Sequence, residues 1–197
     1  MTTKKELVTQ TQRAYEFMEK LFFEVSYLIK EVEGMLSEEG FTICKCGGYA
    51  ITTRSSNALD TKGVNMWLLR KMSVAFVEED KTELYQGITK TPLDDSLKVL
   101  YLRIILNDTI YPEPTVIAGV INKIKTEHTN LKRFEHVLTH LEYNENKVFN
   151  RATTLDYQDP KFEINGNLFE VNLYDIGDSA TIKTKIVDPM LGLYRKI

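Results

Sequence analysis

The sequence has few cysteines and lacks long apolar runs. Two cysteines in 197 residues are too few for a disulfide framework. No apolar run approaches the roughly 20 residues that a membrane-spanning helix requires, and residues 1–6 lack the apolar core of a signal peptide. Basic residues are not in excess either, because 25 Lys and Arg face 28 Asp and Glu. These absences predict a cytoplasmic protein that has no membrane segment and for which nucleic acid is an unexpected partner.

Glycine and proline are sparse as well, with ten and five residues scattered along the chain. No linker rich in Gly, Ser or Pro divides the sequence, and no internal repeat is present. A chain of this length can bury about 70% of the surface that its unfolded form exposes, which is enough for one core. We therefore expect residues 1–197 to form a single domain.

The first forty residues, 1–40, carry the clearest pattern in the sequence. Between residues 4 and 39, apolar side chains recur every seven positions, which places them along one side of an α-helix. The first row of this stripe contains Leu7, Ala14, Leu21, Leu28 and Met35. Two neighbouring rows contain Val8, Tyr15, Phe22, Ile29 and Leu36, and then Met18, Val25 and Val32. Gly40 is a typical residue at the end of a helix.

The length of this helix has a consequence for assembly. A helix of about 33 residues is roughly 50 Å long, whereas a compact domain of this size is about 40–45 Å across. An unbroken helix would extend past its own domain, and heptad spacing suits pairing with a second helix. The five residues of the first row are therefore the predicted oligomerisation interface. The alternative is a core helix lying on a sheet, which the breadth of the three-row stripe favours.

Strands dominate the rest of the sequence. They are predicted over 41–46, 49–53, 72–77, 98–106, 161–164, 168–173 and 180–187, with Asn165-Gly166 as the tight turn of a hairpin. Helices are predicted over 115–127 and 130–143. Because helices and strands occur in blocks, the sequence predicts an α+β fold. We expect a long N-terminal helix packed on a mainly antiparallel sheet of about five to six strands, with two further helices.

Four side chains form a candidate metal site: Cys44, Cys46, His136 and His140. The cysteines are two apart on a predicted strand, and the histidines are four apart on a predicted helix, so each pair shares a face. Thiolate and imidazole suit tetrahedral zinc, which is the one cofactor that these residues indicate. The alternative is that the cysteines are small buried residues and the histidines a polar helix face.

Two charged clusters suggest a phosphate-containing substrate. Residues 78–81 follow a predicted strand and include the acid-x-Lys pattern of metal-dependent nucleases, although a solvated turn has the same composition. Lys132 and Arg133 lie on the predicted helix 130–143, and Arg103 interrupts an apolar strand. These three residues are candidates for binding an anion. The alternatives are a solvated helix face and a structural ion pair.

No catalytic motif accompanies these clusters, since the Gly-x-Ser-x-Gly, P-loop and dinucleotide-binding patterns are all missing. The sequence therefore favours a non-catalytic interaction or regulatory protein that forms a homodimer through its N-terminal helix, with a different protein as a second kind of partner. The alternative is a metal-dependent enzyme acting on a phosphate-containing or nucleic-acid substrate. Active-site residues can be scattered along a chain, so both functions remain open at this level.

Overall fold

The computed structural model describes residues 3–44, 70–82, 98–126, 154–158 and 162–197. Helix α1 spans Lys4–Glu38 without a break. The strands are β1 (Phe41–Ile43), β2 (Lys71–Glu78), β3 (Lys98–Ile105), β4 (Thr115–Thr126), β5 (Thr154–Gln158) and β6 (Phe162–Asn172). A C-terminal helical segment follows, consisting of α2 (Ser179–Ile182), a π-helical stretch (Lys183–Val187) and α3 (Asp188–Lys196).

The six strands form one sheet in the order β1-β2-β3-β4-β6-β5, and every neighbouring pair is antiparallel. The predicted α+β fold, with a long N-terminal helix and a mainly antiparallel sheet of about five to six strands, is confirmed, and the described residues contribute six strands. Helix α1 ends where the sequence predicted. Gly40 has a φ of +82°, a conformation that glycine adopts without strain, and its N–H donates to the Ser37 carbonyl at 3.1 Å.

Side chains alternate between the two faces of the sheet, and both faces are buried at the centre. One face packs against α1 and the C-terminal helical segment, through Phe76, Leu100, Leu102 and Val120 of the sheet. The opposite face carries a second cluster, which includes Ala75, Tyr101, Ile117, Ile121 and Leu155. The central strands are apolar on both sides for this reason, as the near-continuous apolar run of β3 indicated.

The helix predicted over 115–127 is wrong, because this segment forms strand β4. Its apolar residues match helical spacing only because a strand buried on both faces is apolar at nearly every position. Val116 and Val120 contact the helices, whereas Ile117 and Ile121 face the opposite cluster. The high content of β-branched residues favours the extended conformation. The second predicted helix, 130–143, and the predicted strand 49–53 lie outside the described residues.

The strand predicted over 180–187 is also wrong, because these residues belong to the C-terminal helical segment. Its start is fixed by Asp178, whose carboxylate accepts a hydrogen bond from the Thr181 N–H at 2.7 Å. Ile182, Ile186 and Met190 recur every four residues and are buried against the sheet. The sequence alternates over this stretch, but a spacing of four fits a helix face as well as a strand face.

The hairpin turn predicted at Asn165-Gly166 is wrong, because β6 runs continuously through it. The glycines of this region allow β4 and β6 to approach each other. A Cβ on Gly166 would lie 2.5 Å from the Val120 carbonyl oxygen, and one on Gly119 would lie 2.1 Å from the Asn167 carbonyl oxygen. Gly119 also has a φ of +153°, which L side chains rarely adopt. The pairing of β4 with β6 therefore requires glycine at both positions.

We predict that Gly119→Ala lowers the free energy of unfolding by about 3 kcal/mol or more, because the new methyl group meets backbone that cannot move aside. Gly34→Ala is the matched control. Nothing lies within 4 Å of a Cβ built on Gly34 in α1, so alanine should raise stability by about 0.5–1 kcal/mol through its higher helix propensity. Urea unfolding midpoints measure both effects. Parent-like stability of Gly119→Ala would contradict the close approach of the strands.

Candidate interaction surface

Helix α1 divides into a buried half and an exposed half. In the second half, the apolar residues pack on the sheet, and those that are buried are Val25, Leu28, Ile29, Val32 and Leu36. In the first half, from Lys4 to Lys20, every side chain is exposed except that of Met18, which is half-buried. We refer to residues 4–20 as the arm. The arm is about 25 Å long at a rise of 1.5 Å per residue.

The apolar stripe of α1 does not stop where the sheet stops. Leu7, Val8 and Tyr15 continue it along the arm, and these side chains are 53%, 50% and 70% exposed. Phe17 adds an exposed aromatic ring beside the stripe, and Phe23 is exposed on the opposite side of α1. Scattered exposed apolar residues are ordinary, but a contiguous apolar row on one element marks an interaction surface.

Local interactions keep the arm helical. The Thr3 N–H donates to the Glu6 carboxylate at 2.6 Å, and the Glu6 N–H donates to the Thr3 hydroxyl at 3.3 Å, which together form a capping box. The backbone hydrogen bond from Thr3, followed by the bond from its hydroxyl, lowers the pKa of Glu6 below its ordinary value of 4.5. The packed half of α1 provides the helix nucleus, so the arm extends an existing helix.

A cleft of about 250 Å³ lies where the arm leaves the domain. On one side it is lined by Leu21, Val25 and Leu28 of α1. On the other side it is lined by Leu173, Ile176 and Ile182, which precede or belong to the C-terminal helical segment. The sequence shows no sign of this cleft, because part of its second wall, from residue 180 onward, alternates between polar and apolar residues as a strand does.

Acidic groups line the same cleft. Glu24 and Asp178 both contribute to its walls. Hydrogen bonds from the backbone and side chain of Thr181 lower the pKa of Asp178 below its ordinary value, so this carboxyl is ionised at neutral pH. A third acid, Glu31, accepts a hydrogen bond from the Ser179 hydroxyl at 2.8 Å and ties α1 to α2 beside the cleft. The junction between arm and domain is therefore apolar inside and negatively charged around it.

The five residues of the predicted interface are distributed over both halves of α1. Leu7 and Ala14 are exposed on the arm, and Leu21 is half-buried at the junction. Leu28 is buried in the core of its own chain, and Met35 is partly buried against the same core. The part of the row that is open to a partner is therefore Leu7, Ala14 and the outer side of Leu21.

Of the candidate metal ligands, the structure describes Cys44 alone. Cys44 is fully buried at the end of β1, where its N–H donates to the Ala75 carbonyl at 2.8 Å. Cys46, His136 and His140 lie outside the described residues, as do Lys132 and Arg133 of the candidate anion site. Among the residues that are described, no three His, Cys, Asp or Glu side chains come together in a way that could hold a metal ion.

Arg103 is buried at the centre of the sheet, with 1% of its surface exposed. It lies on β3 directly opposite Ser73 of β2 and Ile117 of β4. Its side chain shares a face with Tyr101 and Ile105, the face that does not contact α1. This position removes Arg103 from the protein surface, so it is placed for a role inside the domain.

The acidic segment 78–81 has a structural explanation. Glu78 and Lys81 form an ion pair at the end of β2. The hydrogen bond from Lys81 is the main cause of the lowered pKa of Glu78, and a hydrogen bond from Tyr194 adds to it. Lys98 donates to the Tyr194 carbonyl at 2.7 Å and lies over the Tyr194 ring. These contacts link the strand ends to α3, whereas Asp80 is exposed.

Comparison with protein-family models, with curated proteins and with solved structures finds no match for this chain. In the described part of the chain, none of the helices combines the length and the apolar character that crossing a membrane requires. The identification of the candidate site therefore rests on the geometry of the arm and of the cleft at its base.

We predict that acid loosens the arm through Glu6. A carboxyl whose pKa is lowered in the folded state stabilises that state above its ordinary pKa, and the stabilisation disappears as the pH falls from 4.5 through the lowered value. Helix content by circular dichroism should therefore fall in this window, and Glu6→Gln should reduce the fall. Glu16→Gln, outside the capping box, is the control and should respond as the parent does. Identical acid responses of the parent and Glu6→Gln would contradict the prediction.

Proposed function

We propose that this protein is a non-catalytic interaction protein that self-associates as a homodimer through its arm. The observation that carries the proposal is the continuity of the apolar stripe. The same rows that pack on the sheet in the second half of α1 continue along the arm with Leu7, Val8 and Tyr15 uncovered. A monomer leaves this surface in water, and a second copy presents the same surface to cover it.

The state of the arm before association supports this proposal. Burial of apolar surface contributes about 25 cal/mol per Å², but association also has an entropic cost for every segment that must become ordered. The arm is already helical, with a capping box at one end and a packed helix at the other. The backbone of the arm is therefore ordered when the chain folds, before association. Burial of the stripe then contributes more to affinity than it would if the arm had to become helical on binding.

The contacts at the base of the arm support a fixed direction for it. The Tyr27 hydroxyl lies 3.3 Å from the Ser179 hydroxyl, which in turn donates to Glu31. At the far end of α1, Arg195 donates to Glu39 at 2.8 Å. Because α1 is held at both ends of its packed half, the arm leaves the domain at a set angle. A surface presented at a set angle suits one symmetric partner better than a flexible tail would.

We predict that Leu7→Glu combined with Tyr15→Glu weakens dimerisation at least about a hundredfold, because two apolar contacts of the interface are replaced by charges. Both side chains are exposed in the single chain, so the domain should still fold. The matched control is Thr9→Glu combined with Phe23→Glu, which adds the same two charges to the outer side of α1. Light scattering over a range of concentrations measures the dimer fraction, and circular dichroism verifies the fold.

The control variant and the parent should give the same dimer fraction, since Thr9 and Phe23 lie off the stripe. A parent chain that remains monomeric at high micromolar concentration would refute self-association. Equal weakening by both variants would show that added charge, and not the stripe, controls association.

A further inference from the structure

We infer that the two arms pair antiparallel, centred between Ala14 and Tyr15, and that the tip of each arm contacts the cleft of the other copy. This inference rests on the proposed function and specifies the geometry of the dimer. The occupant of the surface is a second copy of the same arm. Three independent features of the chain lead to this geometry: the position of the sheet, the symmetry of the stripe and the distribution of charge.

The position of the sheet excludes a parallel pair. The stripe that faces a partner along the arm faces the chain's own sheet from Val25 onward. If two parallel helices paired through this stripe, the sheet of each chain would lie on the side of its helix that faces the other helix. The two domains would then occupy the same space. In an antiparallel pair the domains lie at opposite ends, and each arm extends freely until it reaches the domain of its partner.

The spacing of the stripe matches itself in the antiparallel orientation. With the two-fold axis between residues 14 and 15, residues of the two outer rows meet their own row to within the rise of one residue, about 1.5 Å. Leu7 of one copy then lies opposite Leu21 of the other. In the central row, Thr11 then lies opposite Met18, and in the remaining row, Val8 lies opposite Phe22. Ala14 and Tyr15 lie beside their own copies, where the small Ala14 side chain allows the helices to approach closely. Every apolar residue of the arm stripe then faces the partner's stripe.

This register brings the tip of the arm to the cleft. Leu7 belongs to the row that also contains Leu21 and Leu28, and those two residues line the cleft of the same chain. When Leu7 lies opposite Leu21 of the partner copy, it is therefore on the cleft side of the partner's helix. Across the cleft it meets Leu173 and Ile176, which are partly buried in the single chain. The cleft thus provides an apolar site for Leu7.

The charges of the arm are distributed as an antiparallel pair requires, with basic side chains in excess toward the tip and acidic side chains in excess toward the domain. Residues 3–13 carry three basic side chains, Lys4, Lys5 and Arg13, against one acidic side chain. Residues 16–24 carry three acidic side chains against one basic side chain. The basic tip of each arm then lies near Glu24 and Asp178 at the partner's cleft. A parallel pair would instead bring the two basic tips together, which is unfavourable.

Cysteine cross-linking on the full chain tests the register. Leu7→Cys and Leu21→Cys chains are mixed at low concentration, concentrated, and treated with a short thiol-specific cross-linker. We expect covalent dimers in the mixture and none from either variant alone, because each residue then lies about 20 Å from its own copy. Tyr15→Cys alone should form covalent dimers. The parent chain, treated in the same way, controls for the native cysteines.

Light scattering on the same samples separates this inference from the proposed function. A parent chain that is monomeric at high micromolar concentration overturns both. Dimers in which Leu7→Cys cross-links with its own copy overturn the antiparallel register and leave self-association intact. A third outcome is that the chains dimerise and Tyr15→Cys forms covalent dimers, but the mixture of Leu7→Cys and Leu21→Cys does not. This outcome overturns the proposed contact between the tip and the cleft.

Charge reversal provides a test that leaves the stripe unchanged. Lys4→Glu with Lys5→Glu should weaken dimerisation about tenfold, and adding Glu24→Lys to the same chain should restore most of the lost affinity. Lys123→Glu with Lys196→Glu changes the net charge equally at two exposed residues outside the arm and the cleft, and should leave the affinity near that of the parent. Failure of Glu24→Lys to restore affinity would overturn the contact between the tip and the cleft.

Discussion

The structure depends on a mismatch between one helix and the sheet beneath it. Helix α1 has 35 residues and is about 52 Å long. The longest strand, β4, has 12 residues and is about 40 Å long, and the six described strands together span about 24 Å across the sheet. Neither dimension of the sheet can cover the apolar stripe of α1. Part of the stripe must therefore be exposed in the monomer or covered by another chain.

The remaining elements determine which part of the stripe is exposed. The C-terminal helical segment occupies the same face of the sheet as α1 and forms hydrogen bonds with it through Ser179 and Arg195. These contacts place the second half of α1 on the sheet and leave the first half free. The segment also supplies one wall of the cleft at the base of the arm, so a single arrangement of helices creates both the surface and the site that we propose receives it.

Some of this organisation could be predicted from the sequence. The heptad rows of α1 identified the helix and its excess length, because a stripe on a helix repeats with a period that no other element shares. Strand β4 could not be recognised in this way, since a strand buried on both faces loses the alternation that identifies strands. Gly166 has the signature of a hairpin turn, but its role is to admit the Val120 carbonyl of a neighbouring strand, and a pairing distant in sequence is not visible locally.

Only one part of the candidate site, the arm, could be predicted from the sequence, and the reason is related. The arm is local in sequence, so its exposed stripe follows from spacing. The cleft depends on residues 173–182 meeting α1 across more than a hundred residues of intervening chain, and the alternation at 180–187 fitted a strand as well as a helix. The burial of Arg103 could not be predicted for the same reason. An arginine within an apolar strand can be buried or exposed, depending on what covers that face of the sheet.

Analytical ultracentrifugation of the unmodified chain from low to high micromolar concentration tests the central claim most directly. We expect the sedimenting species to change from the mass of one chain to the mass of two as concentration rises, because only a second copy presents the same uncovered stripe. A single species with the mass of one chain over the whole range would contradict the account, since the stripe would then be stable in water without a second copy.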